Sequence, residues 1–339
     1  MIHRSKTRNN PLDVFWGMKT IKMPLTRHPQ IKSFCPVPHS LAPKFRFTNY
    51  FSAPYIIFFN NKKSTISLFP CHNCVIIKKM NRSTSTSAII LSLRPLGENN
   101  SSVTLLTPES GIVYAVLYGG PKSRLRSLVS QWNSGKVWLY ENPEKNQIKI
   151  SDFEVANYHA SFSQNLFKSY AASLAAELAI KTRCAGSTSQ CFLLISGFLD
   201  GMELCDEQQS RLGLIRFLWR YLELLGIQPL THVCSNCGRN ILDSRFAPNA
   251  FSYYNSMENS FICPECTVSS GSGHSENMIS IQFNAVQYLS ALTVLTPFEA
   301  RKLSIDEETY GQIRQFVFFL IENSIDQKLN SIETGMGIL

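Results

Sequence analysis

The sequence predicts an α+β protein in which a small β-barrel is followed by a helical domain that carries a four-cysteine insertion. Three observations support this order. Short β-rich segments separated by turn residues fill residues 80–155, apolar residues with a helical period dominate from residue 156, and two close cysteine pairs interrupt the helical part. With 339 residues, the chain is long enough for two or three domains.

The first 79 residues differ in composition from the rest. They carry 13 Lys and Arg but a single acid, Asp13, for a net charge of +12, whereas residues 80–339 have a net charge of −3. Prolines recur, and no helical or strand period is sustained. We interpret residues 1–79 as a poorly structured basic extension and favour translation from Met80, with a nucleic-acid-binding arm or a transit peptide as alternatives. Cys71 and Cys74 in this extension lack a clear second pair, and we regard their spacing as accidental.

The ten cysteines bear on the cellular compartment. The N-terminus lacks the apolar core and cleavage site of a signal peptide, so the thiols are expected to stay reduced. The longest apolar run near the N-terminus, around Tyr55 to Phe59, is far shorter than the ~20 residues that span a bilayer. We therefore expect a cytoplasmic protein without a membrane segment.

Five β-rich segments are predicted in residues 80–155: Ala88–Leu93, Ser102–Leu106, Ile112–Tyr118, Val137–Tyr140 and Ile148–Phe153. Turn residues separate the segments, and Leu125, Leu128 and Val129 at helical spacing predict one helix after the third strand. Five strands with a helix after the third are the layout of an OB-type barrel, a fold that commonly binds oligonucleotides.

The stretch YGGPKSRLRS, at the end of the third strand, is the candidate nucleic-acid-binding site. Lys122, Arg124 and Arg126 follow two glycines, which let the backbone approach a phosphate while the cations neutralise it. Arg94 adds a fourth charge, and Tyr118 is the best candidate for stacking on an unpaired base. The alternative for the cations is a solvated surface. Most of the nearby aromatic residues are expected to fill the barrel core: Tyr114, Trp132, Trp138 and Tyr140.

Apolar residues at helical spacing predict three helices in residues 156–230, the clearest in 210–226, and two more in about 285–295 and 306–330. Gly226 is expected to end the third helix. Arg216 and Arg220, one turn apart in that helix, are expected on a solvated face. The final stretch TGMGIL is expected to be frayed.

Cys234 and Cys237 form one C-x2-C pair, and Cys263 and Cys266 form a second after 25 intervening residues. This spacing lets both sulfurs of a pair reach one ion at about 2.3 Å, and four thiolates match the tetrahedral shell of Zn²⁺. A redox dithiol is disfavoured because the pair is duplicated and follows the end of a helix. Four thiolates leave no open coordination position, so the predicted zinc site is structural.

Three stretches together resemble the RecO family of bacterial recombination mediators: AIILSLRPLGENNSSVTLLTPESGIVYAVLYGG, LELLGIQPLTHVCSNCG and SIDQKLNS. The resemblance implies an OB domain in 80–155, a helical domain in 156–230 and 277–334, and a zinc ribbon in 231–276. It implies binding of single- and double-stranded DNA, annealing of complementary strands, and help in loading RecA. It also implies two protein partners, RecR and the C-terminal tail of single-strand binding protein.

The resemblance places the metal motif on the four cysteines, and the basic turn on Lys122, Arg124 and Arg126. One departure is the turn itself, where the family usually has Gly-Ala-Arg-Lys and this chain has Gly119-Gly120-Pro121-Lys122, with one cation fewer. A zinc-stabilised protein–protein scaffold with incidental DNA contact is the alternative, because residues 80–339 are close to neutral. An enzyme with a small-molecule substrate is disfavoured, since the sequence contains no P-loop, H-E-x-x-H motif or nucleophile elbow.

Overall fold

The computed structural model describes residues 82–120, 122–242, 251–270, 277–325 and 327–339, together with the backbone of two short strands nearer the N-terminus. The chain divides into two units, Met1–Met80 and Asn81–Leu339. In the first unit, β1 (Tyr55–Phe59) pairs antiparallel with β2 (Ile66–Pro70), a hairpin that the sequence pattern did not predict. The predictions about Cys71, Cys74 and the rest of the extension lie outside the described residues.

Five strands of the second unit close into a barrel: β3 (Ser83–Leu96), β4 (Asn100–Thr107), β5 (Gly111–Tyr118), β6 (Ser134–Asn142) and β7 (Gln147–Asn157). Their order around the barrel is β3-β4-β5-β7-β6. Neighbouring strands are antiparallel except β5 and β7, which pair in parallel at Val116 and Lys149. With α1 (Arg124–Leu128) after the third barrel strand, the predicted OB-type layout is confirmed.

Strand β3 is apolar on both of its faces. Ile90 lies in the barrel's own core, whereas Ile89 and Leu91 are buried in the core of the helical part. Successive residues of a strand point to opposite faces, so the alternation places one set of side chains inside the barrel and the other against the helices. Leu106 and Trp132 are buried in the same helical core. The barrel and the helical part therefore share buried apolar surface.

The helical part contains eight α-helices among the described residues: α2 (Leu166–Lys181), α3 (Thr188–Leu204), α4 (Glu207–Leu224), α5 (Pro264–Ser270), α6 (Phe283–Val294), α7 (Pro297–Ala300), α8 (Glu307–Ser324) and α9 (Asn330–Thr334). Helix α4 ends as predicted, because Gly226 has φ +74° and the N–H of Ile227 bonds to the carbonyl of Leu222 at 3.0 Å. Within the described ranges, every helix is too short or too polar to cross a membrane.

Two expectations about the helical part were wrong. Arg216 and Arg220 are only partly exposed: the Nε of Arg216 donates to Tyr288 Oη at 3.2 Å, and Arg220 donates to the carbonyl of Leu292 at 3.2 Å. Helix α6 covers this side of α4, which the local period could not reveal. The C-terminal stretch is packed rather than frayed, since Leu339 is 3% exposed and Arg211 Nη1 donates to the carbonyl of Ile338 at 2.9 Å.

The cysteine insertion between α4 and α6 is built from small antiparallel elements. Strands β8 (Phe251–Asn255), β9 (Ser260–Ile262) and β10 (Met278–Gln282) form a sheet in the order β10-β8-β9. Tyr254 of β8 packs edge-on against Phe316 of α8, with ring centroids 5.0 Å apart. This contact attaches the insertion to the helical core.

Candidate functional sites

The turn between β5 and α1 lies beside the turn between β3 and β4. Asn100 pairs with Tyr118, and a Cβ added to Gly120 would lie 3.4 Å from Asn99 Oδ1. Gly119 has φ +131°, and a Cβ there would lie 2.9 Å from the Cβ of Ser123. The turn therefore requires glycine at position 119, and it brings α1 against the end of the barrel.

Four cations flank these turns. Lys122, Arg124 and Arg94 are exposed and Arg126 is partly exposed. Throughout the described part of the chain, none of the four forms an ion pair with a carboxylate. Their charges are therefore available to phosphate groups. Arg94 lies opposite Ser102, two residues from the turn, so the structure brings all four predicted cations towards one end of the barrel.

The barrel's outer face carries more aromatic surface than the sequence predicted. Tyr118 is 47% exposed, its Oη donates to Gln147 Oε1 at 2.8 Å, and Tyr114 on the same face of β5 is 62% exposed. The expectation that most of these aromatic residues fill the barrel core was wrong: among the described residues only Trp132 of this group is buried, and it lies in the helical core. The alternation of side chains along β5 could have indicated this exposure. Tyr114 and Tyr118 point to the face opposite the buried Ala115 and Leu117.

Two lysines also lie over aromatic rings on the outer face of β6 and β7. Lys136 Nζ is 5.1 Å from the ring centroid of Trp138, and Lys149 Nζ is 4.8 Å from that of Tyr140. These pairs combine a positive charge with a flat apolar surface, the two features that unpaired nucleic acid engages. Both lysines lie far from the basic turn along the chain, so the sequence pattern did not indicate them.

The four predicted metal ligands come together in the insertion. The sulfurs of Cys234, Cys237, Cys263 and Cys266 all lie within 4.8 Å of one another, and those of Cys237 and Cys263 are 3.8 Å apart. Sulfurs bound tetrahedrally at 2.3 Å would be about 3.8 Å apart, so this separation fits one shared ion. Cys234 and Cys263 are buried, whereas Cys237 is exposed. The cluster can therefore hold a metal ion near the surface.

Local hydrogen bonds favour a thiolate in this cluster. The backbone N–H of Arg239 is the main cause that lowers the pKa of Cys237 to about 6. Hydrogen bonding to Cys237 raises the pKa of Cys266 to about 12, and burial raises that of Cys263. Arg239 Nη1 also pairs with Glu265 Oε2 at 2.6 Å, which joins the two cysteine-bearing turns.

A groove of about 600 Å³ runs between α3 and α4. Its apolar walls include Leu193, Phe198 and Phe217, and three glycines also line it: Gly197, Gly201 and Gly213. A Cβ added to any of these glycines would meet no heavy atom within 4 Å. Glycine inside a helix costs about 1 kcal/mol relative to alanine. Because close helix packing does not require these glycines, their effect is to keep the groove open.

One arginine in this groove has an unsatisfied donor. Arg216 Nη2 is buried and lacks a hydrogen-bond partner among the described residues. Arg220 and Arg301 also line the groove. A buried donor without an acceptor is unfavourable, and the positive charges of the three arginines suit a ligand that carries an anionic group. The sequence pattern did not indicate the groove, because a glycine within a helical pattern predicts only a weaker helix.

Comparison with known proteins matches both parts of this architecture. The family models described as Recombination protein O N terminal and Recombination protein O C terminal match residues 80–159 and 163–333. The DNA repair protein RecO of Moorella thermoacetica is 25% identical over 248 residues, which cover 72% of this chain and 86% of the relative.

Two further proteins with the same name match over a shorter range. That of Synechococcus elongatus is 27% identical over 158 residues, covering 46% of this chain and 59% of the relative. That of Heliobacterium modesticaldum is 30% identical over 156 residues, which cover 45% of this chain and 55% of the relative. In both cases the match spans little more than half of the relative. The two family models cover the barrel and the helical part with its cysteine insertion, and the chain therefore belongs to the RecO family.

Proposed function

We propose that this chain is a DNA-binding and strand-annealing mediator of recombinational DNA repair. Its family and the names of its relatives point to repair and recombination. The observation that carries the proposal is the end of the barrel, where Lys122, Arg124 and Arg126 lie without a carboxylate partner among the described residues, next to the exposed Tyr118.

The proposed mechanism uses binding alone. The cations hold phosphates of single- or double-stranded DNA, and release of counterions supplies most of the affinity. Tyr118 and Tyr114 stack on unpaired bases, which keeps a single strand extended. A strand held by its backbone presents its base edges to a complementary strand, which can then pair with it.

The test replaces Lys122, Arg124 and Arg126 together with alanine and measures DNA affinity by fluorescence anisotropy at several salt concentrations. Each phosphate contact to a single strand contributes about 0.7 to the slope of log K against log salt, so we expect the slope to fall by about 2. The control replaces three exposed cations of the helical part, Arg183, Lys302 and Lys328. An unchanged slope and annealing rate would favour the scaffold alternative.

We also propose that the four cysteines bind one structural Zn²⁺. The donor set is four soft thiolates, which leave no coordination position for a substrate. Metal analysis should find one zinc per chain, lost in Cys263→Ser and retained in Cys205→Ser, since Cys205 lies outside the cluster. A full complement of metal in Cys263→Ser, or none in the native chain, would contradict this assignment.

The groove between α3 and α4 is the proposed docking surface for the C-terminal tail of single-strand binding protein. Its apolar walls suit apolar side chains, and the guanidinium groups of Arg216, Arg220 and Arg301 line it, where they can pair with a terminal carboxylate. Binding of RecR and help in loading RecA follow from the family resemblance, and we propose them without assigning a surface.

The test is a peptide titration with a short acidic, apolar peptide that has either a free or an amidated C-terminus. Amidation should weaken binding to the native chain, because it removes the negative charge that pairs with Arg216 and leaves a neutral carbonyl acceptor. In Arg216→Gln the two peptides should bind with the same affinity. The control is Arg314→Gln, since Arg314 lies over the ring of Phe318 in α8, and this variant should still bind the two peptides with different affinities. Equal loss on amidation in the native chain and in Arg216→Gln would exclude this contact.

A further inference from the structure

A cleft of about 210 Å³ lies at the barrel surface, between β5 and the turn that joins β6 to β7. Strands β5 and β7 pair at one position within the described residues, Val116 with Lys149, whereas β4 and β5 pair along their full length. If the pairing of β5 and β7 continued two residues towards the strand starts, Tyr114 would lie beside Gln147. Both residues line the cleft instead, so it opens where the two strands separate.

Most of the polar groups that line the cleft are available to a ligand. Glu141 contributes a carboxylate, Asn146 and Gln147 contribute carboxamides, and Ser102 contributes a hydroxyl. Within the described part of the chain, the side chains of Glu141 and Asn146 form no hydrogen bond or ion pair. Gln147 uses one atom of its carboxamide, since its Oε1 accepts from Tyr118 Oη at 2.8 Å. The cleft therefore offers a negatively charged acceptor and two carboxamides at one place.

The size and the walls of the cleft suit one flat ring. Pockets for drug-sized molecules hold about 300–1,000 Å³, so this cleft fits a smaller group. Tyr114 lines it with a side chain that is 62% exposed, and Ala115 and Val116 complete this wall. An exposed aromatic ring beside apolar contacts favours the stacking of an unpaired nucleobase.

Charges around the cleft separate the place for a base from the places for phosphates. Lys149 is exposed and lies opposite Val116. Tyr118, which bonds to Gln147, leads directly into the basic turn. Inside the cleft, the carboxylate of Glu141 repels phosphate and accepts N–H groups. A single strand can thus lay its phosphates on the cations beside the cleft while one base enters it.

The carboxylate of Glu141 also distinguishes between bases. Guanine presents two adjacent N–H donors, at N1 and N2, and a carboxylate can accept both as a bidentate pair. Thymine presents one N–H between two carbonyl oxygens, which repel a carboxylate. We infer that the cleft binds one unpaired guanine of a single strand, which is stacked on Tyr114 and held by Glu141. This inference rests on the proposed single-strand binding by the barrel and adds a base preference to it.

The test compares a short fluorescein-labelled oligo(dT) strand with the same strand carrying one central guanine. Anisotropy titration of the full chain should show an affinity for the guanine strand that is higher by about fivefold or more, as expected for a bidentate contact to a base. A third strand carries hypoxanthine in place of guanine. This base keeps the stacking surface but lacks the N2 amino group, so most of the preference should be lost.

Glu141→Gln should bring the ratio of the guanine and thymine affinities close to one, because a carboxamide has one acceptor oxygen where a carboxylate has two. The matched control is Glu144→Gln, which removes an exposed carboxylate from the same turn but outside the cleft. It should keep the ratio of the native chain. Both variants remove one negative charge, so the ratio is the readout and not either affinity alone.

Equal affinities of the native chain for the guanine and thymine strands would overturn the inference and leave the proposed DNA binding intact. A guanine preference that persists in Glu141→Gln would also overturn it, because the base would then be recognised elsewhere. If the native chain binds neither strand, the proposed function and this inference are both wrong.

Discussion

Glu177 of α2 holds Ser331 at the start of α9. Glu177 Oε2 accepts from the backbone N–H of Ser331 at 2.8 Å and from its hydroxyl at 2.7 Å, while Oε1 accepts from the N–H of Asn330 at 2.9 Å. A carboxylate at this position satisfies N–H groups that a helix start leaves unpaired. One side chain of α2 thus attaches the C-terminal helix to the core.

Replacing Glu177 with glutamine should destabilise the protein by about 1–2 kcal/mol at pH 7, because charge-assisted hydrogen bonds become neutral ones. Urea unfolding measures the change. Glu333→Gln is the control, since its ion pair with Lys328 is exposed and should contribute well under about 1 kcal/mol. Equal losses in the two variants would contradict the prediction.

The same contact predicts a pH dependence. Burial raises the pKa of Glu177, but the hydrogen bonds from Lys181, Ser331 and Asn330 together lower it further, so the net pKa lies below its ordinary value. A depressed pKa means that the stabilisation is complete above about pH 4.3 and is lost as pH falls below it. The difference in unfolding free energy between the native chain and Glu177→Gln should shrink between pH 5 and pH 3.

Alanine substitutions at Gly111 and Gly97 can separate the cost of backbone strain from the cost of steric overlap. Gly111 lies where the barrel meets α3, and Gly97 serves as the comparison. Both have a positive φ, +66° and +67°, but only at Gly111 would a Cβ meet another residue, Thr188 Cγ2 at 2.8 Å. Gly97→Ala should cost about 1–2 kcal/mol from backbone strain alone. Gly111→Ala should cost roughly 1–3 kcal/mol more from the overlap, as measured by thermal unfolding.

Thr188→Ser provides the rescue, because it removes Cγ2 and retains the hydroxyl that bonds to Pro108. The serine variant should recover much of the additional loss in Gly111→Ala. If Gly111→Ala and Gly97→Ala lower the stability equally, the close packing against Thr188 does not contribute to the loss in Gly111→Ala.

Filling the groove should stabilise the fold and weaken tail binding. Gly197→Ala and Gly201→Ala add a methyl group that meets no heavy atom within 4 Å. Each should raise the free energy of unfolding by about 0.5–1 kcal/mol through helix propensity. The same methyl groups occupy space that the proposed tail needs, so peptide affinity should fall. Variants that gain stability without losing peptide affinity would show that the tail binds elsewhere.

Metal removal should loosen the insertion and leave the barrel intact. Chelation is expected to raise hydrogen exchange in residues 232–242 and 251–266, which include the four cysteines, because their turns are held through the sulfurs. Exchange in β3 and β4 should not change. Equal loss of protection in both regions would indicate that the metal supports the whole fold.

The sequence predicts those features that depend on neighbours along the chain. The barrel strands follow from β-rich segments between turns, and the cysteine cluster follows from two C-x2-C pairs. What it misses depends on distant packing. The sequence of α4 alone indicates a solvent-exposed position for Arg216, yet Tyr288, 72 residues later, contacts it. The Nε2 of His159 lies 2.8 Å from Asp200 Oδ1, yet the two residues are 41 positions apart and neither belongs to a recognisable motif.

The two-sided burial of β3 also affects how the protein unfolds. Ile89, Leu91 and Leu106 of the barrel lie in the helical core, so a barrel separated from its helices would expose them to water. Such a fragment would tend to self-associate. Barrel and helices should instead melt in one cooperative transition, so a destabilising substitution in either part should lower the stability of both.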